Sequence, residues 1–356
     1  MRLALTVYSI LLMGMVVTAE GQVPEPPGTV SGRLFPRVTG VNGFEELVLA
    51  GEVAKACKPL DAAVSPGATL SQKRKALADP SAVRALRLMR AGLDKPLLAP
   101  RDANGEAPLD MYGPLRQLAR LTSVEMYVKL ADGRVGEALD SLRSGLRLGY
   151  AVQSDLTIGG LVGIAIDMLS LKGIQDHVGQ LSERDCRQLE ALAREWMDLP
   201  DPAIRVLQTE REYVLKRLRD QLQGNNALFD QVGSLLAARL DAITASLRLP
   251  AWKRNPLPDL GDSQAEMFVK ALGLEQVYGQ AQKAFTRDQA AVQILGVHAA
   301  IRRYLWEYDR LPGDLDSLKL GRLGLDPFTG NPLRYTRLTD RTYDLVCEGL
   351  EESKKS

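Results

Sequence analysis

The chain has 356 residues, of which 45% are hydrophobic and 25% charged. Its 45 basic and 44 acidic residues nearly cancel, which leaves no electrostatic footprint for nucleic acid or for an anionic membrane surface. Cys57, Cys186 and Cys347 lie far apart with no C-x-x-C spacing, which excludes a thioredoxin-like pair and a cysteine zinc site. They read as small buried hydrophobes.

The N-terminus sets the expected compartment. Arg2 precedes an apolar run from Leu3 to Val17, and Val17-Thr18-Ala19 offers a signal-peptidase site before Glu20. The run is short for a membrane span, which needs about 20 apolar residues. These features predict a signal peptide over 1–19, export to a periplasmic or extracellular location, and no stable span after cleavage. No cysteine follows the run, so a lipoprotein anchor is not indicated. Residues 20–40 read as a linker, because Pro24-Glu25-Pro26-Pro27-Gly28 cannot hold a helix.

From residue 41 to 285 the pattern predicts an irregular multi-helix bundle. Phe44, Leu47, Val48 and Val53 have helical spacing. Asp79-Pro80 gives a cap followed by a first-turn proline, opening a helix over 81–91, and 96–108 reads as a loop. From Pro114, an apolar stripe of Leu115, Leu118, Leu121, Val124 and Val128 ends at Ala131-Asp132-Gly133. A second stripe follows from Val135 to Tyr150, so the two helices should pack as an antiparallel hairpin.

The next helix, 157–174, is apolar nearly all round, with Asp167 its one charge before Lys172. A carboxylate argues against a span, so the expectation is the buried centre of the bundle, with Gly159, Gly160 and Gly163 allowing close approach. Ser182 with Asp185 gives a weak capping box, Asp201-Pro202 opens a helix to about Leu222, and 227–247 continues as helix. Residues 250–262 form a proline-bearing loop before a helical segment from Ser263.

The C-terminal part, 286–350, changes character, and 351–356 remain as a tail. A helix over 287–308 should stop at Arg310-Leu311-Pro312-Gly313, followed by turns and a hairpin about Asp340-Arg341. The residues Tyr304, Tyr308, Pro312, Asp326, Pro327, Gly330, Pro332, Tyr335 and Tyr343, in the order helix, R-L-P break, D-P-turn-G-x-P and Y-x-L strand, resemble the C-terminal part of major pseudopilins of type II secretion systems. That resemblance implies a small pseudopilin-like α+β module of helix plus antiparallel hairpin. The pseudopilin N-terminus is absent and the turn carries one extra residue before Gly330, so filament formation and calcium binding are not carried over. Through Asn42-Gly43-Phe44, Ala131-Asp132-Gly133-Arg134, Leu161-Val162-Gly163-Ile164-Ala165-Ile166-Asp167 and Glu210-Arg211, the whole chain resembles a group of uncharacterised exported bacterial proteins that join a helical domain to such a tail; this implies architecture and export, and no activity.

No G-x-S-x-G elbow, H-E-x-x-H, Walker loop or G-x-G-x-x-G is present. His177 and His298 are far apart and read as structural. A buried Asp167 must be paired or protonated, and Arg143, Arg147 or Arg211 is its expected partner. Glu210 and Arg211 complete the candidates for a buried ionic network. No catalytic residue, cofactor or metal is assigned; Asp314, Asp316 and Asp326 more readily serve turns than calcium. The leading expectation is an exported, non-enzymatic protein working through protein–protein contacts with envelope proteins. One alternative is an accessory component of a type II secretion or pilus-like machine, docking on its proteins through the C-terminal module. The other is an enzyme built on the dispersed carboxylates Asp167 and Glu210.

Overall fold

A computed structural model describes residues 42–99, 109–153, 156–222 and 225–353, with side chains to 350. The expected signal peptide, the linker over 20–40 and residues 354–356 of the tail lie outside the described residues, as do 100–108 of the expected loop.

The fold is mainly helical with one small two-stranded antiparallel sheet. Its first helices are α1 (Phe44–Lys55), α2 (Leu60–Val64), α3 (Leu70–Leu77) and α4 (Pro80–Leu93). Thr69 and Gln72 form a reciprocal capping box on α3, and Asp79 accepts the Ser81 N–H at the start of α4. The long hairpin follows as α5 (Tyr112–Ala131) and α6 (Val135–Val152), with Gly133 at φ +72° in the turn between them. Glycine is suited there because a side chain resists positive φ.

Next come α7 (Thr157–Gln175), α8 (Glu183–Met197), α9 (Pro202–Gln221), α10 (Asn226–Leu247) and α11 (Gln264–Ala271). Ser182 and Asp185 make the capping box on α8, and Asp201 caps α9 ahead of Pro202. Gly273, at φ +64°, separates α11 from α12 (Leu274–Tyr308), a single helix of 35 residues. The sequence predicts this helix only from 287; the structure begins it at Leu274, with Leu274, Tyr278, Ala281 and Phe285 buried along its first turns. Strands β1 (Arg334–Arg337) and β2 (Tyr343–Val346) pair antiparallel with Tyr335 opposite Leu345, and a short α13 (Glu348–Ser353) closes the described chain.

Two hydrophobic cores lie along the bundle. The first joins α1 to α4 with the N-terminal parts of α5 and α7, the end of α6, α9 to α11, and α12 as far as Phe285. The second joins the end of α5, the start of α6, the end of α7, α8, α12 from Ala290 onward and the C-terminal hairpin region. Helices α5, α6, α7 and α12 therefore run through both cores and tie them together.

The expectation that α7 forms the centre of the bundle requires correction. By length and composition α7 could cross a membrane, yet only about half of it is buried inside the fold. Ile166, Asp167, Ser170, Leu171 and Ile174 face inward, while Leu161 and Met168 remain 44% and 43% exposed. Glycines let it lie close against α6. A Cβ at Gly163 would meet the Gly149 carbonyl oxygen at 2.5 Å, and one at Gly145 would meet Ser170 Oγ at 2.1 Å.

Candidate functional site

Three polar side chains meet where the two cores join. Gln153 leaves the end of α6, Asp167 lies midway along α7, and Asp288 lies on α12 between the last residue of one core and the first of the other. All three are essentially inaccessible, at 0%, 0% and 1% exposure. Gln153 Nε2 donates to Asp167 Oδ2 at 2.6 Å and points at Asp288 Oδ2 at 3.4 Å. The two carboxyls are near enough for each to shift the proton affinity of the other.

Asp167 thus finds its partners in a glutamine and a second carboxyl, not in an arginine. Arg143 reaches Asp140, Arg147 reaches the Leu93 carbonyl and Asp94, and Arg211 reaches Asp241. Glu210 serves elsewhere: its Oε2 accepts the Thr157 N–H at 2.8 Å, placing an acid at the start of α7, where Leu156 offers no side-chain cap. Asp167 and Glu210 therefore do not share a cleft. The buried ionic cluster that sequence reasoning missed is Glu125, which accepts from Arg90 at 2.6 Å, from Ser141 at 2.9 Å, and lies 3.1 Å from Lys129.

Burial dominates the chemistry of the pair. It raises the Asp167 carboxyl well above the usual range, and the charge of Asp288 pushes it further in the same direction. Burial pushes Asp288 up to about 7, opposed by the hydrogen bonds from Asp167 and Gln153. Neither carboxyl has a basic side chain among the groups that shift it.

Asp288 and Gln153 reach the floor of a cleft of about 500 Å³. Its walls come from the end of α8, the start of α9, the end of α10 with the loop after it, the middle of α12 and the segment after α12. Trp196 and Trp252 stand on the walls with Gln289 and Gln293. Four of the residues that line it carry a buried polar atom without a partner: Asp288 Oδ1, Gln153 Oε1, Gln293 Oε1 and Trp196 Nε1. The orientation of Gln153 is dictated, since its amide NH₂ must face the carboxyls and its oxygen must face away. Likewise Gln293 Nε2 donates to the Arg322 and Leu325 carbonyls, both at 3.0 Å, leaving Oε1 for other contacts. At the rim, Arg254 lies 3.8 Å from Asp201.

The C-terminal motif residues build structure around this cleft. Asp326, 2% exposed, accepts backbone N–H groups of Phe328 at 2.8 Å, Thr329 at 3.3 Å and Gly349 at 2.9 Å. Its carboxylate is thus committed to a turn and to the start of α13. Gly330 sits at φ +74° with Trp252 against it, where a Cβ would lie 2.5 Å from the indole, and Pro327 lines the cleft. Pro332 bridges to Leu325, and Pro312 accepts from the Tyr335 hydroxyl at 2.9 Å. Tyr343 meets His298 Nδ1 at 2.7 Å, and Tyr304 stacks on Tyr308 with ring centres 4.4 Å apart. Burial lowers the pKa of His298. His177 packs edge-on to Tyr127. All three cysteines are buried and no disulfide joins them.

Asp326→Ala removes one acceptor for three N–H groups, two of them in a tight turn. The expected loss is roughly 2–4 kcal/mol, since each buried donor left without a partner costs about 1–3 kcal/mol. Thermal unfolding measures the loss. Thiol labelling with peptide mapping should show Cys347 reacting before Cys57 and Cys186; unchanged stability and labelling would contradict the assigned role.

Among the described residues no group of His, Cys, Asp or Glu has the arrangement of a metal site. Compared with protein-family models, with curated proteins and with solved structures, the chain gives no match.

Proposed function

We propose that the protein is an exported binding protein that holds a polar ligand in the cleft between the two cores. One observation carries this reading. A cleft of about 500 Å³ ends on buried polar atoms that lack partners within the protein. Such atoms are costly to leave unsatisfied, at about 1–3 kcal/mol each, and a ligand that meets them recovers that loss. Aromatic walls with a few convergent polar groups are the usual make-up of a small-ligand site. Export rests on Arg2, the apolar run to Val17 and the Val17-Thr18-Ala19 site.

A ligand here could equally be a short segment of an envelope protein, in keeping with action through protein–protein contacts. A second reading, docking on secretion machinery through a pseudopilin-like module, is favoured by one feature. Among the described residues the β1–β2 hairpin pairs only with itself, and Leu338 at its turn is 63% exposed. Unpaired strand edges accept further strands.

Native mass spectrometry of the protein released gently from the producing cells tests the main reading. The expected result is a mature chain beginning at Glu20, with a bound species that is lost on denaturation and reduced in Trp252→Ala. A mature chain that carries nothing and whose tryptophan fluorescence responds to no added extract fraction would defeat it. Capture of secretion components that disappears when Arg334 to Val346 is replaced by a short linker would favour the second reading.

A further inference from the structure

The unpartnered polar atoms of the cleft-lining residues are not a balanced set. Three are acceptors, namely Asp288 Oδ1, Gln153 Oε1 and Gln293 Oε1, and only Trp196 Nε1 is a donor. The donor capacity of both glutamines is already spent, Gln153 on the two carboxyls and Gln293 on two carbonyls. What is missing is a group rich in N–H or O–H.

The charge balance narrows this further. Asp288 is a buried acid, its neighbour Asp167 is another, and no basic side chain is among the groups that shift either one. Arg248, Arg254 and Arg322 also line the cleft, yet none is among the groups that shift either carboxyl, and Arg254 stands by Asp201 and donates to the Leu249 carbonyl. A buried carboxylate is normally paired with a cation or held neutral. Here the position of the cation opens onto the cleft.

We propose that the floor of the cleft receives a protonated amine, with Asp288 as its charged acceptor and the Gln153 and Gln293 carbonyl oxygens as neutral ones. An ammonium carries three donors and no acceptor, which matches this set. A carboxylate or phosphate would face three acceptors in this set and would have to turn instead to the arginines Arg248, Arg254 and Arg322. A polyol could satisfy some acceptors, though it would leave the charge of Asp288 unpaired. The inference rests on the cleft being a ligand site, and it names the chemistry that site selects.

Calorimetric titration of the full mature protein tests it with four probes: n-butylammonium, Nα-acetyl-lysine amide, its Nε-acetylated counterpart and n-butyrate. Both cationic probes should bind at least tenfold tighter than the Nε-acetylated and butyrate probes. Asp288→Asn, checked for native circular dichroism, should lose most of that preference. Equal binding by the two free-amine probes marks a small amine as ligand, whereas tighter binding of the lysine amide marks a lysine of a partner segment. If the acetylated or anionic probe binds as well as the cations, or if the preference survives in Asp288→Asn, the amine assignment falls while the cleft remains a ligand site. If the native protein carries a bound species that is neither displaced nor mimicked by any amine, the assignment falls in the same way. If no probe binds and nothing copurifies, both readings fall together.

Discussion

Asp288→Asn is expected to stabilise the protein far more at pH 8 than at pH 5. Asp288 has a folded pKa raised from an ordinary 3.8 to about 7. Below pH 4 the carboxyl is protonated in both the folded and unfolded chain, and burial there costs no charge. Between pH 4 and 7 the unfolded chain gives up this proton while the folded chain keeps it. The folded state then binds more protons, and stability falls as pH rises. The loss is complete once pH passes the folded value near 7.

Over the two units from pH 5 to 7 this amounts to roughly 2–3 kcal/mol, at 1.36 kcal/mol per unit. An asparagine does not titrate, so the variant escapes this share. Asp167, raised in the same direction by its own burial, keeps a residual slope in both proteins. Urea unfolding followed by circular dichroism at pH 5, 6, 7 and 8 measures the difference directly. A native protein whose stability is flat across that range would mean that a counter-ion already sits on the pair. A variant weaker at every pH would mean that the carboxylate of Asp288 is held by something beyond burial.

Much of the fold is legible in the residues because its signals are local. Asp79-Pro80, Asp201-Pro202 and Ser182 with Asp185 mark helix starts that the structure places at those points. Ala131-Asp132-Gly133 marks the turn of the α5–α6 hairpin, and the hairpin about Asp340-Arg341 is found between β1 and β2. The partner of Asp167 was hidden for the opposite reason. Asp288 comes 135 positions after Gln153, and its own surroundings, Thr286, Arg287, Gln289 and Ala290, look like an ordinary stretch of helix. Nothing local distinguishes it from a solvated acid. Its burial is created by α7 crossing α12, an event no window of sequence contains. One signal was available: Asp167 is a charge in an otherwise apolar run, and such a residue demands a polar partner even when spacing does not name it. The same run overstated the burial of α7, since composition reports how apolar a helix is and not how many faces its neighbours cover.

The close crossing of α6 and α7 makes Gly149 the position whose substitution should be felt most widely. A Cβ there would lie 2.0 Å from Asp167 Oδ1, 2.6 Å from its Cγ and 2.9 Å from the Gly163 carbonyl oxygen. The carboxyl cannot swing away freely, because it is enclosed and hydrogen-bonded to Gln153. Gly149→Ala must therefore part the helices or expel Asp167 from the pair. Overpacking of a buried site costs about 1–3 kcal/mol, occasionally more, and loss of the Gln153 contact adds to it. We expect a total of roughly 2–4 kcal/mol, against the small gain that alanine brings over glycine in an open helix. The cause is separable by a double-mutant cycle with Asp167→Ala, which removes the two shortest contacts and leaves only that with Gly163. If the clash with the carboxyl is the source, the double variant is no less stable than Gly149→Ala alone, a coupling of about 1–2 kcal/mol. If the two losses simply add, the helices have room for the methyl group and the carboxyl pair is not what sets their separation.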